Sequence, residues 1–362
     1  MTEWVFSESV FDGASLGPAS LCIGGGQIVE VTPLARRGAE ISGTLAPGYL
    51  DLQVNGGGGV LLNAEPSRIS EICAAHRRFG TVGIMPTVIT DAPNVLTAVT
   101  DAIIAAKEDV LGLHIEGPHI AMSKRGTHSA EHVRPMDDNT IAAVKRLRDA
   151  GVTVLLTLAP EVVDAAAIAD LVAMGVIVSF GHSDATAEEA EAGFAAGAQA
   201  VTHLFNAMSP MTHRAAGLAG VAMERAPFVG LIADGIHVED RVAKIAVRAT
   251  QGRIFLVSDA MPTVGGPDQF DLYGTTIRVE DGRLVNAEGA LAGAHTTMAE
   301  GVARLIGLGV PPKDVLHMAI TNPAALIRRS DLASLVGRSV EDVIVLNHDW
   351  VVNGPLASFV GH

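Results

Sequence analysis

The sequence predicts an α/β protein: a (β/α)₈ TIM-like barrel with a small β-sandwich domain built from both chain ends. Short apolar runs recur about every 30 residues, the length of a strand with its crossover helix, and helical patterns alternate with them. Both ends of the chain carry short strand-like runs split by Gly, Asn and Asp. A chain of 362 residues accommodates a barrel of about 250 residues and a small second unit.

Eight apolar runs are the predicted barrel strands, because near-continuous apolar character is typical of parallel strands buried on both faces. They are residues 47–55, 81–89, 109–117, 153–160, 175–182, 198–205, 227–234 and 253–259. Predicted helices between them include 68–79, 95–106, 165–174 and 187–196, the last opened by a capping box of Thr186 and Glu189. An open doubly wound sheet is the competing fold, but it usually has fewer strands and a glycine fingerprint that residues 24–29 do not match.

The chain is predicted to divide into three segments. Residues 1–46 and 333–362 form the two parts of the small β domain, because the termini of a domain tend to lie close together. Residues 47–332 form the barrel. A hairpin insertion near 270–293 follows the last barrel strand, and the Asp281-Gly282 pair within it is a strong hairpin signal.

Composition and charge exclude several classes of protein. Hydrophobic residues make up 48% of the chain and charged residues 18%, which excludes a disordered chain. The net charge of −15 argues against nucleic acid or a membrane surface as partner. Two cysteines, Cys22 and Cys73, cannot form a disulfide framework or a cysteine-rich metal site. No apolar secretory signal opens the sequence, and its most apolar stretch, 171–180, is too short to span a bilayer, so we expect a cytoplasmic protein.

Polar residues cluster at the C-terminal ends of the predicted strands, which in a barrel converge on the face that carries active sites. They are Gln53, Asn55, Glu116, His182, His203, His237 and Asp259. A carboxylate in an apolar run, such as Glu116, must be paired, hydrogen-bonded or bound to a metal. One Glu with two His is a known catalytic zinc set, and a separate carboxylate such as Asp259 then moves protons. None of the five lysines lies at a strand end, which argues against a Schiff-base aldolase.

Several segments between residues 47 and 298 carry a more specific pattern. They are PGYLDLQVNGGGG (47–59), HIEGPHI (114–120), KRGTHSAEHVR (124–134), GHSDAT (181–186), THLFNAMSPMTHR (202–214), LIADGIHV (231–238), LVSDAM (256–261) and LAG with TTM (291–298). In content and order they resemble the N-acetylglucosamine-6-phosphate deacetylase family of the amidohydrolase superfamily. The strand-like chain ends also match the small β domain of that family.

This resemblance implies a role for twelve residues. Glu116, His182 and His203 would hold the metal, with Asp259 as the catalytic acid and base. The implied substrate contacts are His128 at the acetyl carbonyl, Asn206, Ala207 and His237 at the phosphorylated sugar, and Leu291, Ala292 and Gly293 around the acetyl group. The residue matching Arg214 reaches the phosphate of the neighbouring subunit in the family, which implies a homodimer.

The resemblance also implies the cofactor. Family members with His-x-His on the first strand can bind a second metal, whereas this chain has Gln53 and Asn55, and neutral amides are poor ligands for zinc-like ions. We expect one divalent metal per subunit, zinc first, although iron, cobalt or manganese can share such ligands. A cation there should also keep the pKa of Asp259 low.

The expected substrate is N-acetyl-D-glucosamine 6-phosphate, with two alternatives. Deacetylation of N-acetylgalactosamine 6-phosphate would use the same chemistry, and a non-catalytic sugar-phosphate sensor could have kept the pocket. The glycine run 55–59 could cradle a phosphate, although such runs are more often tight turns. His114, two residues before Glu116, is expected to be a core histidine that supports the site and not a ligand.

Overall fold

The first part of the chain forms most of a small β domain with a mixed sheet. A computed structural model describes residues 2–286, 289 and 291–360. The first strands are β1 (Thr2–Phe11), β2 (Leu16–Gly24), β3 (Gln27–Pro33), β4 (Ala39–Glu40) and β5 (Thr44–Pro47). β1 pairs antiparallel with β2 and parallel with β4 and β5, so these strands belong to one sheet.

Eight parallel strands then form the barrel, which confirms the predicted fold class. These strands, with two short ones after the first, are β6 (Tyr49–Val54), β7 (Gly56–Gly57), β8 (Val60–Leu61), β9 (Thr81–Ile89), β10 (Leu113–Glu116), β11 (Val154–Leu158), β12 (Ile177–Phe180), β13 (Ala200–Val201), β14 (Phe228–Leu231) and β15 (Ile254–Leu256). β6 and β9 to β15 pair with their neighbours in chain order. The barrel closes where Val54 bridges Ala260 and where the Asp259 amide donates to the Gln53 carbonyl over 3.0 Å.

A helix follows each barrel strand and covers the outside of the sheet. These helices are α1 (Ile69–Arg77), α2 (Pro93–Ala105), α3 (Asp138–Asp149), α4 (Ala165–Ala173), α5 (Ala187–Ala195), α6 (Gly217–Arg225), α7 (Asp240–Thr250) and α8 (Met298–Gly307). The predicted capping box of Thr186 and Glu189 opens α5, with both reciprocal hydrogen bonds formed. Within the described residues, none of the helices is both long and apolar enough to cross a membrane.

The predicted insertion after the eighth barrel strand is a three-stranded antiparallel sheet. It consists of β16 (Gln269–Leu272), β17 (Thr275–Glu280) and β18 (Arg283–Val285). Asp281 and Gly282 connect the last two strands with φ angles of 50° and 76°, the left-handed pair of a type I′ turn. Leu272, Ile277 and Leu284 pack with Met261 in one buried apolar cluster, which seats the insertion on the C-terminal end of the barrel.

The chain returns to the first sheet after α9 (Pro312–Leu316) and α10 (Asn322–Leu326). β19 (Val343–Leu346) pairs antiparallel with β5 and with β20 (Val352–Pro355). Strands from both chain ends therefore share one seven-stranded sheet, whose buried Leu21, Leu45 and Val345 belong to an apolar core distinct from that of the barrel. This confirms a small β domain built from both ends, while the boundaries at residues 46 and 332 stay predictions.

Seven of the eight barrel strands are shorter than the sequence predicts, and they are shortened at both ends. Residues 198–205 are a predicted strand, but only Ala200–Val201 form one. His182, His203 and Asp259, which follow three of the strands, have φ angles of 50°, 31° and 53°. A left-handed residue cannot continue a strand, and for a side chain larger than glycine this conformation is costly and concentrates at functional sites.

Candidate active site

Three side chains converge at the C-terminal end of the barrel. Glu116 is the last residue of β10, whereas His182 and His203 lie two residues beyond β12 and β13. The Glu116 Oε1 atom lies 3.1 Å from His182 Nε2 and 3.0 Å from His203 Nε2, and the two Nε2 atoms are 3.1 Å apart. All three residues are buried. The structure thus brings together the three ligands that the sequence resemblance implied.

The orientation of both imidazoles suits a cation. His182 Nδ1 donates to the Lys124 carbonyl oxygen over 2.9 Å, which leaves Nε2 as the ring atom that faces Glu116 and can bind a cation. His203 Nδ1 has no hydrogen-bond partner among the described residues, and its Nε2 also points at the carboxylate. A carboxylate oxygen and two imidazole nitrogens are the ligands of many catalytic zinc sites. The donor set therefore fits a divalent metal ion.

The electrostatics of this group favour an ionised carboxylate. Burial alone would raise the pKa of Glu116, but its hydrogen bonds with His182 and His203 outweigh burial and hold that pKa well below the usual value. Burial would lower the pKa of His203, but the hydrogen bond with Glu116 and its charge raise that pKa overall. The imidazoles of His182 and His203, together with the amide of Gln53, thus stabilise the buried negative charge of Glu116.

Asp259 lies beside this group and is held by two amides. Its Oδ1 accepts hydrogen bonds from Asn55 Nδ2 at 2.7 Å and Gln53 Nε2 at 3.1 Å. Gln53 Nε2 also donates to Glu116 Oε1 over 3.0 Å, so one amide bridges both carboxylates. Burial, followed by the nearby charge of Glu116, raises the pKa of Asp259 to about 6. Without a cation, the surrounding protein groups therefore raise the pKa of Asp259. From the sequence, a low pKa is expected for this residue only with a cation bound beside it.

His128 lies against the same group from the loop that follows β10. The centre of its ring is 4.3 Å from that of His182, and its Nδ1 is 2.8 Å from Thr90 Oγ1. Burial, followed by the charge of His182, lowers the pKa of His128 to about 3. The imidazole is therefore neutral at physiological pH.

His237 follows β14 and is fixed by a carboxylate that sequence analysis missed. Its Nδ1 lies 2.6 Å from Asp234 Oδ2, while Asp234 Oδ1 accepts the backbone N–H groups of Ile236 and His237 at 2.8 Å each. Burial would raise the pKa of Asp234, but the hydrogen bond from His237 outweighs it and lowers that pKa. The Asp-Gly-Ile-His spacing is a signal that could have revealed the pair.

A cavity of about 180 Å³ connects these side chains and includes ten of the twelve predicted site residues. The ten are Glu116, His128, His182, His203, Asn206, Ala207, His237, Asp259, Leu291 and Gly293. The other two lie elsewhere. Ala292 is fully buried in the apolar cluster beneath the insertion, and Arg214 is exposed outside the cavity of its own chain.

His114 and the glycine run 55–59 have structural roles, as the sequence analysis favours. His114 is buried, with Nε2 2.8 Å from Thr157 Oγ1 and Nδ1 3.1 Å from the Leu52 carbonyl oxygen, and it lies outside the ligand group. Most backbone amides of the glycine run 55–59 donate to carbonyl oxygens within residues 260–264. Those amides are already committed to protein acceptors, so the run is a set of turns and not a phosphate cradle.

Sequence comparisons agree with this geometry. Residues 44–337 match the Amidohydrolase family. The chain is 38% identical over 320 residues to N-acetylgalactosamine-6-phosphate deacetylase of Shewanella sp. (strain ANA-3), covering 85% of this chain and 80% of that protein. It is 32% identical over 327 residues to N-acetylglucosamine-6-phosphate deacetylase of Haemophilus influenzae, covering 87% of this chain and 85% of the relative.

Solved structures show the same similarity over nearly the whole fold. The N-acetylglucosamine-6-phosphate deacetylase of Pasteurella multocida superposes with a TM-score of 0.89 and 29% identity, covering 97% of both chains. The enzyme of the same name from Mycobacterium smegmatis gives a TM-score of 0.87 at 29% identity, again over 97% of each chain. The barrel and the small β domain are thus shared together.

Proposed function

Because the chain belongs to the amidohydrolase family, we propose that it hydrolyses the N-acetyl group of N-acetyl-D-glucosamine 6-phosphate. The products are glucosamine 6-phosphate and acetate, so the reaction cleaves a linear amide C–N bond. One observation carries the proposal: Asp259 lies beside the Glu116, His182 and His203 group without belonging to it. Metal-assisted amide hydrolysis needs such a separate proton carrier. The names of the relatives supply the substrate class.

Glu116, His182 and His203 would hold one divalent metal ion, for which we propose zinc. Bound there, the ion supplies Lewis-acid chemistry, because it polarises the amide carbonyl and makes water more acidic. Gln53 and Asn55 turn their N–H groups toward the carboxylates of Glu116 and Asp259 and could offer a second ion only neutral amide oxygens, which are weaker zinc ligands than imidazoles. Iron, cobalt and manganese accept similar ligands, so metal analysis of the purified protein decides the identity.

Asp259 would take a proton from the attacking water and later return it to the leaving amine. Both amide donors bind its Oδ1 atom, which leaves Oδ2 to exchange the proton. Without the metal ion, burial and the charge of Glu116 raise the pKa of Asp259 to about 6, which opposes the lowering that the cation would cause. A carboxyl group with a pKa near the working pH both accepts and donates protons efficiently.

His128 and the segment after the insertion would surround the acetyl group. Neutral His128 would donate its Nε2 proton to the carbonyl oxygen, where negative charge develops in the transition state. Leu291 and Gly293 border the same cavity. Gly293 has φ 70°, and a Cβ atom added there would come within 2.7 Å of the Met261 side chain, so glycine keeps this wall in place. Ala292 would support it from the apolar cluster below.

Asn206, Ala207 and His237 would hold the phosphorylated sugar at the cavity mouth. Asn206 and Ala207 follow the second metal-ligand histidine, and Asp234 fixes the ring of His237. Arg214 is exposed and does not line the cavity of its own chain, which suits a side chain that completes the site of a neighbouring subunit. We propose a homodimer in which its guanidinium binds the phosphate of that subunit through two parallel hydrogen bonds.

A second substrate is favoured by one specific observation. The Shewanella relative, which is 38% identical, is named for N-acetylgalactosamine 6-phosphate. That sugar differs only in the configuration of the 4-hydroxyl group, and the acetamide to be cleaved is the same. The alternative function, a sugar-phosphate sensor that does not catalyse a reaction, is disfavoured because a sensor does not need Asp259 beside the metal ligands.

Acetate release from both epimeric substrates tests the proposal. Metal-loaded protein should release acetate faster from the glucosamine substrate, and a chelator should abolish release. Glu116→Gln should lose the metal and serve as the inactive control. Faster release from the galactosamine epimer would make N-acetylgalactosamine 6-phosphate the preferred substrate. Binding of both sugars by metal-loaded protein without acetate release would overturn the proposed enzymatic activity in favour of a sensor.

We also propose that the protein acts in the cytoplasm. A phosphate monoester carries a charge of about −1.5 to −2 at neutral pH and does not diffuse through a bilayer. The enzyme must therefore share a compartment with the reaction that phosphorylates the sugar. Activity assays on separated cell fractions test this location.

A further inference from the structure

A strained tyrosine occupies the tip of the hairpin between β16 and β17. Tyr273 and Gly274 have φ angles of 50° and 78°, the left-handed pair of a type I′ turn. Asn, Asp or Gly normally fills the first position of such a turn, as Asp281 does in the next hairpin. A bulky residue there is an outlier that costs free energy, and such outliers concentrate at functional sites. The proposed reaction so far assigns Tyr273 no task.

The phenol of Tyr273 reaches two segments of the active site. Its hydroxyl group donates to the Thr90 carbonyl oxygen over 2.5 Å. Burial, the larger influence, raises the pKa of Tyr273, and a backbone hydrogen bond from Ser129 acts against this rise. Ser129 is the residue after His128, and Tyr273 and His128 line one cavity of about 420 Å³ next to the active site. The turn therefore contacts both Thr90 and the loop that carries His128.

Thr90 in turn places two groups next to one nitrogen of His128, a backbone N–H that can only donate and a hydroxyl group that can donate or accept. Its hydroxyl oxygen lies 2.8 Å from Nδ1, and its backbone N–H points at the same nitrogen from 3.4 Å. The other acceptor near this hydroxyl group, the Glu116 carbonyl oxygen, is farther away at 3.4 Å. An N–H group can only donate, so Nδ1 is the acceptor and the single proton of the neutral ring lies on Nε2.

We propose that Thr90 and Tyr273 are positioning residues, which hold His128 with its proton on Nε2 so that it can donate to the acetyl carbonyl oxygen. This inference rests on the proposed deacetylation. In the opposite tautomer Nε2 would present a lone pair to that oxygen and repel it. Thr90 selects the tautomer directly, and Tyr273 acts one step further out by fixing the Thr90 peptide.

Nitrogen NMR of the zinc-loaded protein tests the tautomer without any turnover. In wild type, the His128 ring should show a protonated Nε2 and an unprotonated Nδ1, with the signals assigned by their loss in His128→Gln. Thr90→Val should shift part of the population toward protonated Nδ1, whereas Thr90→Ser should retain the wild-type pattern. A protonated Nδ1 in the wild type overturns the inference, whether or not the protein releases acetate.

Kinetics then test whether the tautomer matters for the reaction. Thr90→Val should lower kcat about five- to tenfold, the range of one net hydrogen bond, and change KM by less than about twofold, because the carbonyl charge grows mainly in the transition state. Tyr273→Phe should lower kcat less than Thr90→Val does. Thr90→Ser keeps the hydroxyl group and should retain most of the wild-type kcat. In a His128→Gln background, Thr90→Val should have no further effect.

The chain offers a matched control for each substitution. Thr81 lies at the other end of β9, and its buried hydroxyl group has no partner among the described residues, so Thr81→Val should keep wild-type kinetics. Tyr49 is fully buried with an equally unpartnered hydroxyl group, so Tyr49→Phe should do the same. Equal losses in Thr90→Val and Thr81→Val, or additive losses with His128→Gln, would overturn the positioning role and leave the deacetylase assignment intact.

Discussion

The substitution Asp259→Asn separates proton transfer from metal binding. Asparagine has the shape of the carboxylate, and its amide oxygen can still accept the hydrogen bonds of Asn55 and Gln53. What it lacks is an atom that takes a proton. General acid–base catalysis is worth about 10²- to 10⁴-fold, so kcat should fall by at least about a hundredfold. Metal content should stay at the wild-type level, because Asp259 lies outside the ligand group.

The same substitution should stabilise the metal-free protein, with a defined dependence on pH. Burial first, and the charge of Glu116 second, raise the pKa of Asp259 from 3.8 to about 6. A raised pKa means that the folded state binds this proton more tightly. Its contribution to stability is complete below pH 3.8 and is lost as the pH rises through 6. Asparagine carries no charge, so its advantage should grow from about 0.6 kcal/mol at pH 4 to about 3 kcal/mol at pH 8.

Urea unfolding of wild type and Asp259→Asn, both with the metal removed by a chelator, measures this stability difference at pH 4, 6 and 8. Kinetic assays and metal analysis of the metal-loaded proteins measure the loss of kcat and the metal content. In metal-loaded protein the advantage should shrink, because a cation favours the charged form of Asp259. Near wild-type kcat with full metal content would refute the proton-transfer role. Loss of the metal would make Asp259 a ligand, and equal stability at pH 8 would refute the pKa argument.

Three further predictions concern the metal, the dimer and a helix cap. Fully active protein should contain one equivalent of divalent metal per subunit, and two equivalents that are both required for the rate would contradict the amide argument at strand β6. Arg214→Ala should raise KM far more than it lowers kcat, and mixing it with Asp259→Ala should recover activity in mixed dimers; mixed dimers without recovery would confine Arg214 to its own subunit. Thr186→Ala removes the cap of α5 and should lower the free energy of unfolding by about 1 kcal/mol in urea titrations, whereas Thr186→Ser should not.

The barrel could be predicted from sequence because its signal is repeated. Eight apolar runs at regular spacing are hard to produce in another fold, and the second strand is found at its predicted bounds, Thr81–Ile89. Several strand ends could not be predicted, because single left-handed residues follow them closely. His203 and Asp259 continue apolar runs in the sequence, but they leave the strand conformation so that their side chains can turn into the cavity.

The residues with distinctive chemistry could also be predicted, but their supports could not. Glu116 and Asp259 stand out as carboxylates in apolar runs. Thr90 and Tyr273 do not stand out, because a threonine after a strand and a tyrosine in a hairpin are common in sequences of this kind. Their role depends on a contact between Tyr273 and Thr90, which lie some 180 residues apart in the sequence. This contact forms only when the insertion folds back over the barrel mouth, and no local sequence pattern contains it.

The amides of strand β6 connect metal number to proton transfer. A histidine pair at positions 53 and 55 would favour a second cation beside Asp259, and that cation would lower the pKa of the carboxylate. Gln53 and Asn55 instead donate neutral N–H groups to Asp259 Oδ1. In the metal-free protein, burial and the charge of Glu116 outweigh these donors and raise the pKa of Asp259 to about 6. A carboxylate whose pKa is held low by two cations is a weak base toward water, so the single-metal arrangement favours the first half of the reaction, in which Asp259 must take the proton of the attacking water.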